Sequence, residues 1–301
     1  MSMQSTQPAG GKRSGSDLAF DIINTLLLSI ALLTVLYPLY YIVIASVSDP
    51  NAVNTGKVIL LPVDLTIEGY KKVFAYDTLW QAYGNTIKYV LIGTSINLAL
   101  TLTGAYALSR RELAGRRFFM LMITFTMIFS GGLIPTFLTV KGLGMYNTMW
   151  ALVIPNAIGA YNLIVARTFF ETSIPYELVE SANIDGCSDI RFFLNIVLPL
   201  SPAIIAVMIL FYGVAHWNSF FNALIYLKDR SLNPLQLELR ELLITQQAIQ
   251  NLDAESIFQV QRTADIMKFA AIIVSSVPII AVYPFLQRFF VKGVMIGAIK
   301  G

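Results

Sequence analysis

Apolar residues gather into six long runs, near 22–47, 83–108, 118–138, 147–169, 198–217 and 267–286, with polar residues filling the stretches between them. Each run approaches or exceeds the roughly 20 residues a helix needs to cross a bilayer. Lipid offers no partner to backbone N–H and C=O groups, so helices that satisfy them internally are expected; the pattern lacks the short alternating segments of a barrel. The first run exceeds one crossing, which predicts tilt, extension beyond the hydrocarbon or a bend at Pro38. Residues 1–17 are rich in Ser, Gln and Gly, with Lys12 and Arg13 ahead of that run. This resembles a signal n-region, but the run is long enough to span and no small-residue cleavage pattern follows it, so a retained first helix is expected.

The runs are interrupted. Asn85 and Thr86 open the second, and Gly93, Asn97, Thr101, Thr103 and Gly104 put small and polar groups inside it, suited to close packing or to the wall of a wet cavity. Ser130-Gly131-Gly132 and Pro135 should weaken or break the third, and Pro155-Asn156, Gly159 and Tyr161-Asn162 the fourth. The fifth ends in HWNSFFNALIYL, where Trp217, Asn218, Phe220, Phe221 and Asn222 interleave aromatic faces with amides. That composition serves an interfacial belt or a surface that stacks on sugar rings beside hydrogen-bonding groups. Candidate route residues are therefore Ser130, Gly131, Asn156, Tyr161, Asn162, Trp217, Asn218 and Asn222. Outside the runs, Thr66 is a candidate cap for a short helix through Tyr70 and Phe74, and SLNPLQLELRELLITQQAIQNL has near-helical apolar spacing.

One polar island, ELVESANIDGCSDIRFFLNIVLP at 177–199, separates the fourth and fifth runs. It reads as a short amphipathic helix, a tight turn at Asp185-Gly186 and a second short helix ending at Leu198-Pro199, with Phe192, Phe193 and Ile196 holding it against the membrane domain. An ordinary interfacial helix has the same spacing.

With 56% hydrophobic and 13% charged residues over 301, the chain reads as an all-α integral membrane protein. Cys187 is the lone cysteine, and His216, the lone histidine, suits a hydrogen-bonded interfacial group better than a metal ligand or a base. A net charge of +3 does not suggest nucleic acid. Lys12 and Arg13, the RRELAGRR connector with Arg110, Arg111, Arg116 and Arg117, and Arg288, Lys292 and Lys300 fall on one side if there are six spans. Positive charge in short connectors favours the cytoplasm, so both termini and the island are expected there. Six crossings then divide the chain into an N-terminal tail (1–20), a six-span body (21–286) with outer segments at 48–82 and 218–266 and an inner loop at 175–199, and a C-terminal tail (287–301). No phosphate-cradling glycine loop, GK[ST] triplet or assembled nucleophile occurs, so this chain is expected to be no enzyme. Uphill transport would need borrowed energy, received at the island.

Glu180-Ser181-Ala182, then Gly186, then Ile196-Val197-Leu198-Pro199, resembles the EAA loop of the membrane subunits of binding-protein-dependent ABC importers. Ser181 and Cys187 depart from that pattern, both with small side chains. The six runs, the closing QRFFVKGVMIGAIKG and the YALSR stretch at 106–110 resemble the shorter membrane subunit of carbohydrate importers, the class that includes the maltose system. PLQLELRELL at 234–243 is similar to the branch for complex oligosaccharides from plant or algal polymers. The resemblance implies a type I permease core in the bacterial cytoplasmic (inner) membrane and a cytoplasmic coupling helix. It assigns Glu177, Glu180, Ser181, Ala182, Asp185, Gly186, Leu198 and Pro199 to contact with an ATPase, and the tail to the ATPase dimer region. It also implies a homologous second permease, two ATPase subunits carrying ATP and magnesium, an extracytoplasmic solute-binding protein and an oligosaccharide substrate, with no cofactor on this chain. An ion-gradient-driven sugar transporter and a non-transporting membrane scaffold are the alternatives.

Overall fold

The computed structural model describes residues 15–244 and 265–285, Tyr283 excepted; among these, every regular element is helical. The tail expectations for 1–14 and 286–301, and the far half of the outer loop, lie outside the described residues.

The molecule is built around α4 (Asp77–Ser109), a 33-residue helix about 50 Å long at 1.5 Å per residue. Its inward side is unusually polar for an apolar helix: Thr86, Thr94, Asn97 and Thr101 are buried together with Leu79, Tyr89, Leu102 and Ala105. Small and hydroxylated groups let neighbouring backbones approach and bond to it. Against it lie α8 (Ala160–Ser173) and α12 (Pro202–Trp217). A core of Leu102, Tyr106, Leu163, Phe170, Ile204 and Met208 fills the space near its C-terminal half. Toward its N-terminal end, Val73, Leu79, Trp217, Leu235 and Ala270 form a second core.

α1 (Gly15–Ser46) runs through Pro38 without a break and packs little against the rest of the chain. Its Tyr37 and Tyr40 hydroxyls donate to the carbonyls of Ile59 and Leu60, and its last turn joins α2 (Pro50–Asn54) in a small cluster. α3 (Glu68–Phe74) begins after Thr66, whose hydroxyl accepts from Glu68 N at 3.2 Å. Gly69 of α3 seats on α15 (Asp265–Val282): a Cβ there would come within 2.4 Å of the Ile266 carbonyl.

The third and fifth runs are not straight spans. α5 (Arg116–Ile128) and α6 (Leu133–Gly142) meet at 116° across Phe129–Gly132, where Gly132 adopts φ +88°. In the fourth run, α7 (Trp150–Val153) stops at Ile154-Pro155, and α8 starts only after Gly159. The helical segment Asp189–Leu200 turns by 84° into α12. Pro199 and Pro202 cause that elbow, since neither can donate to the carbonyl four residues back. The turn before Pro199 widens into a π segment (Phe193–Val197) between α10 (Asp189–Phe192) and α11 (Leu198–Leu200). The second island helix therefore runs to Leu200 rather than ending at Leu198-Pro199, and breaks at Ser201.

Three helices, those from Ser16 to Ser46, Asp77 to Ser109 and Asp265 to Val282, are long and apolar enough to cross a membrane singly. Counting the two bent pairs raises this to five among the described residues. The broken α7–α8 run falls outside that count.

At the N-terminal end of α4, the segment 228–244 folds down onto the helix. Asn85 Nδ2 donates to the carbonyls of Ser231 (2.7 Å) and Asn233 (3.1 Å), Tyr89 donates to Leu232 O (2.7 Å), and Thr86 Oγ1 accepts from Leu235 N (2.8 Å). These groups hold a short turn at Arg230–Leu232 and the start of α14 (Leu235–Ile244), which follow α13 (Phe221–Tyr226) in the chain. Glu238, 1% exposed, is held by Arg230 through two bonds and by Asn233 Nδ2 at 2.8 Å, so its charge is both paired and hydrogen-bonded.

Candidate translocation cavity and coupling surface

Breaking a helix in an apolar setting frees backbone groups that must find partners. At 154–159 they find protein. Asn97 Nδ2 donates to Asn156 O at 3.0 Å and to Ala157 O at 2.8 Å. The Tyr212 hydroxyl accepts from Gly159 N at 3.0 Å and bonds Thr101 Oγ1 at 2.7 Å. With its amide nitrogen committed, Asn97 turns Oδ1 to His216 Nε2 at 2.7 Å, so Nε2 is the donor. His216 sits flush on Gly93, where a Cβ would lie 2.4 Å from Nε2. The lone histidine is thus a buried structural donor.

The propped loop and the C-terminal end of α12 enclose an open cavity of about 350 Å³. Asn156, Asn162, Asn218 and Asn222 line it together, with Tyr212, Phe211, Phe220 and Phe221. Four amides and four aromatic rings in one concavity can offer stacking faces and both donors and acceptors, the chemistry of a neutral polyhydroxylated ligand.

The other route candidates lie elsewhere. Trp217 is buried in the second core, edge-on to Tyr83 at 5.7 Å, and borders an apolar groove instead. Tyr161 is 59% exposed and does not line the cavity. Ser130 and Gly131 mark the α5–α6 bend and are also absent from its lining. Conversely, Phe211 and Tyr212 line it although they read as ordinary apolar helix. The legible signal was Asn97 and Thr101, four residues apart and hence on one face of a helix.

At the C-terminal end of α4, the island folds as α9 (Tyr176–Ile184), a turn, and α10 onward. Gly186 closes the turn at φ +70°, and no atom lies within 4 Å of the point a Cβ would occupy, so the requirement for glycine is conformational. Val179, Ala182, Phe192, Phe193 and Val197 are buried in the first core, and Ile196 packs against it. Ala182 thus faces inward, whereas Glu177, Glu180, Ser181, Asp185 and Gly186 are exposed, Pro199 is exposed at the elbow and Leu198 is half-buried. Two apolar side chains beside them, Ile184 and Ile190, are 86% and 74% exposed.

The 110–116 connector clasps this loop. The Tyr176 hydroxyl donates to Glu112 Oε1 at 2.6 Å, and Arg111 stacks over the Tyr176 ring at 5.2 Å. Arg110 reaches Glu112 and Asp189 and lies over Tyr106 and Phe192, while Arg116 and Arg167 both pair with Glu171. The Tyr176 bond holds the Glu112 carboxyl below the usual range, and the same bond raises Tyr176. Arg110, Arg111 and Arg116 of the connector are therefore structural partners.

No protein-family model matches the chain. It is 41% identical over 283 residues, 94% of this chain and 98% of the other, to the polygalacturonan/rhamnogalacturonan transport system permease protein YtcP of Bacillus subtilis (strain 168). Protein LplC of the same organism is 41% identical over 286 residues, covering 94% and 95% of the two chains. A solved chain from a bacterial ABC transporter involved in the import of the acidic polysaccharide alginate superposes with a TM-score of 0.85 at 35% identity, covering 93% of this chain and 99% of that one. The chain belongs to the family of permease subunits of sugar-importing ABC transporters.

Proposed function

We propose that this permease carries oligosaccharides through the asparagine-lined cavity by alternating access, in a bacterial cytoplasmic membrane, with both termini and the 175–199 loop cytoplasmic. Six crossings result if α5–α6, α7–α8 and the Asp189–Trp217 pair each count once. The partners in this reading are a second homologous permease, two ATPase subunits that bind ATP and magnesium, and a solute-binding protein on the outer side. This chain itself binds no cofactor and does no hydrolysis. The named cargoes of its relatives, polygalacturonan, rhamnogalacturonan and alginate, favour fragments of plant or algal polymers over monosaccharides.

One observation carries the reading. α4 joins the two sites as a single rod, with Asn97 and Thr101 propping the cavity wall and Tyr106 and Arg110 packed on the exposed loop. A push on the loop is delivered to the helix that shapes the cavity. In a reconstituted complex, hydrolysis by co-purified ATPases should rise with sugar-loaded binding protein. Uptake that instead followed an imposed ion gradient without ATP would defeat the proposal in favour of a secondary transporter.

A further inference from the structure

The asparagine cavity contains no formal charge among the described residues; its titratable lining groups are Tyr212 and His216, both hydrogen-bonded. An anionic sugar entering it needs counter-charge from elsewhere. Next to it, between α14 and α15, lies a second hollow of about 490 Å³ that shares the Phe220 ring with the first. Arg240 and Lys268 line it, one from each helix, with Gln236, Ser275 and Ser276, and none of its described lining residues is a carboxylate.

Among the described residues, the acids nearby in sequence are engaged elsewhere. Glu238 and Glu241 turn to Arg230, and Asp265 accepts from Asn54 Nδ2 at 2.8 Å. Arg240 makes no ion pair among the described residues, and Lys268 Nζ lies 5.4 Å from the Phe269 ring centre. Both cations are half-buried, so solvent screens them less than it would free surface charges. Ser275 and Ser276 each donate to Ile272 O, which leaves their oxygens as acceptors for sugar hydroxyls.

We infer that this hollow is an anion subsite: Arg240 and Lys268 hold carboxylates of a uronate oligosaccharide, and Phe220 hands the chain on to the neutral cavity. The inference rests on the reading of the chain as an oligosaccharide permease and adds the substrate's charge and the residues that select it. Arg240 supplies the planar fork that matches a carboxylate with two bonds, and Lys268 a compact point charge.

The test uses the full importer with its binding protein in phosphatidylcholine vesicles, so that no anionic lipid contributes. Uptake of galacturonate and alginate trimers is compared with that of their carboxyl-reduced, neutral counterparts. Arg240→Gln and Lys268→Gln should each raise the KM for an acidic trimer, relative to its neutral counterpart, about tenfold, the scale of one charge-assisted bond. Arg240→Lys, which keeps the charge and loses the fork, should recover only part of that preference. Equal losses for acidic and neutral trimers would overturn the subsite and assign the cations to docking of the binding protein or to the fold. Wild-type KM values for both trimers in the two Gln variants would overturn it as well. Failure of the unaltered complex to take up any trimer would instead sink the oligosaccharide reading, and the inference with it.

Discussion

Gly186 shows how a single residue's conformation can matter without its contacts. Because no atom crowds its Cβ position, a β-branched replacement meets only the backbone cost of the left-handed region, about 1–2 kcal/mol. Gly186→Val should therefore leave insertion and subunit assembly intact while sharply reducing sugar uptake and binding-protein stimulation of the ATPase. Gly186→Asn, which tolerates that region, should retain far more, and Glu180→Ala should have the weaker effect. Normal stimulation in an assembled Gly186→Val complex would remove the loop from force transmission. Gly93 is the opposite case, since its missing side chain makes room for His216. Asn97 is the residue on which the cavity wall depends: Asn97→Leu strands two loop carbonyls and the His216 donor at a cost of about 1–3 kcal/mol for each buried group. A marked fall in the detergent melting temperature is expected, with a smaller fall for Thr101→Val; equal, small shifts would show that water already satisfies the loop.

At the scale of elements, a broken helix that protein groups have repaired can still form a wall. Cysteines replacing Asn156, Asn218 and Asn222 should react with aqueous thiol reagents in a manner that differs between resting and ATP-trapped complexes. Cysteine at Trp217 should stay protected in both, because that ring is buried in the second core. Uniform protection at all the asparagines would make the cavity a packing defect. The Glu112–Tyr176 clasp carries a pH signature. A depressed carboxyl pKa means its contribution is present above the ordinary carboxylate range and is lost as pH falls through the lower, folded value; the raised Tyr176 value sets the alkaline limit in the reverse sense. Tyr176→Phe should move the acid limb of ATPase stimulation to higher pH, whereas an unmoved limb would detach the clasp from coupling. The helix order and the island's two short helices were legible because apolar runs and glycine or proline punctuation are local. The 116° and 84° bends were only partly legible: proline and glycine mark where hydrogen bonding fails, but packing sets how far the chain then turns.

For the whole molecule, the loop exposes Ile184 and Ile190 beside Glu180 and Asp185, an arrangement suited to a protein groove rather than to water. Burying one such side chain is worth about 1.5–3 kcal/mol. The Ile184→Ser, Ile190→Ser double variant should insert normally yet co-purify with much less ATPase, and undiminished recovery of ATPase would place the contact elsewhere. Removing 293–301 is expected to spare insertion and lower coupling, as judged by uptake and solute-stimulated hydrolysis.

The sequence by itself determined that this chain is helical and apolar, where its helices are interrupted, and which loop carries the importer signature. Those properties rest on hydrophobic periodicity and on the local behaviour of proline, glycine and capping groups. Only the tertiary structure decided which interruptions share a cavity. Asn156, Asn162, Asn218 and Asn222 meet because Asn97 and Tyr212, distant in sequence, satisfy the opened loop, while Trp217, next to Asn218, projects to the other side of its helix. It likewise turned Ala182 inward and Ile184 outward on one short helix, and brought Arg240 and Lys268 to a common hollow from different helices. Composition records that such groups exist; their direction and company follow from long-range packing against α4, which no local window contains.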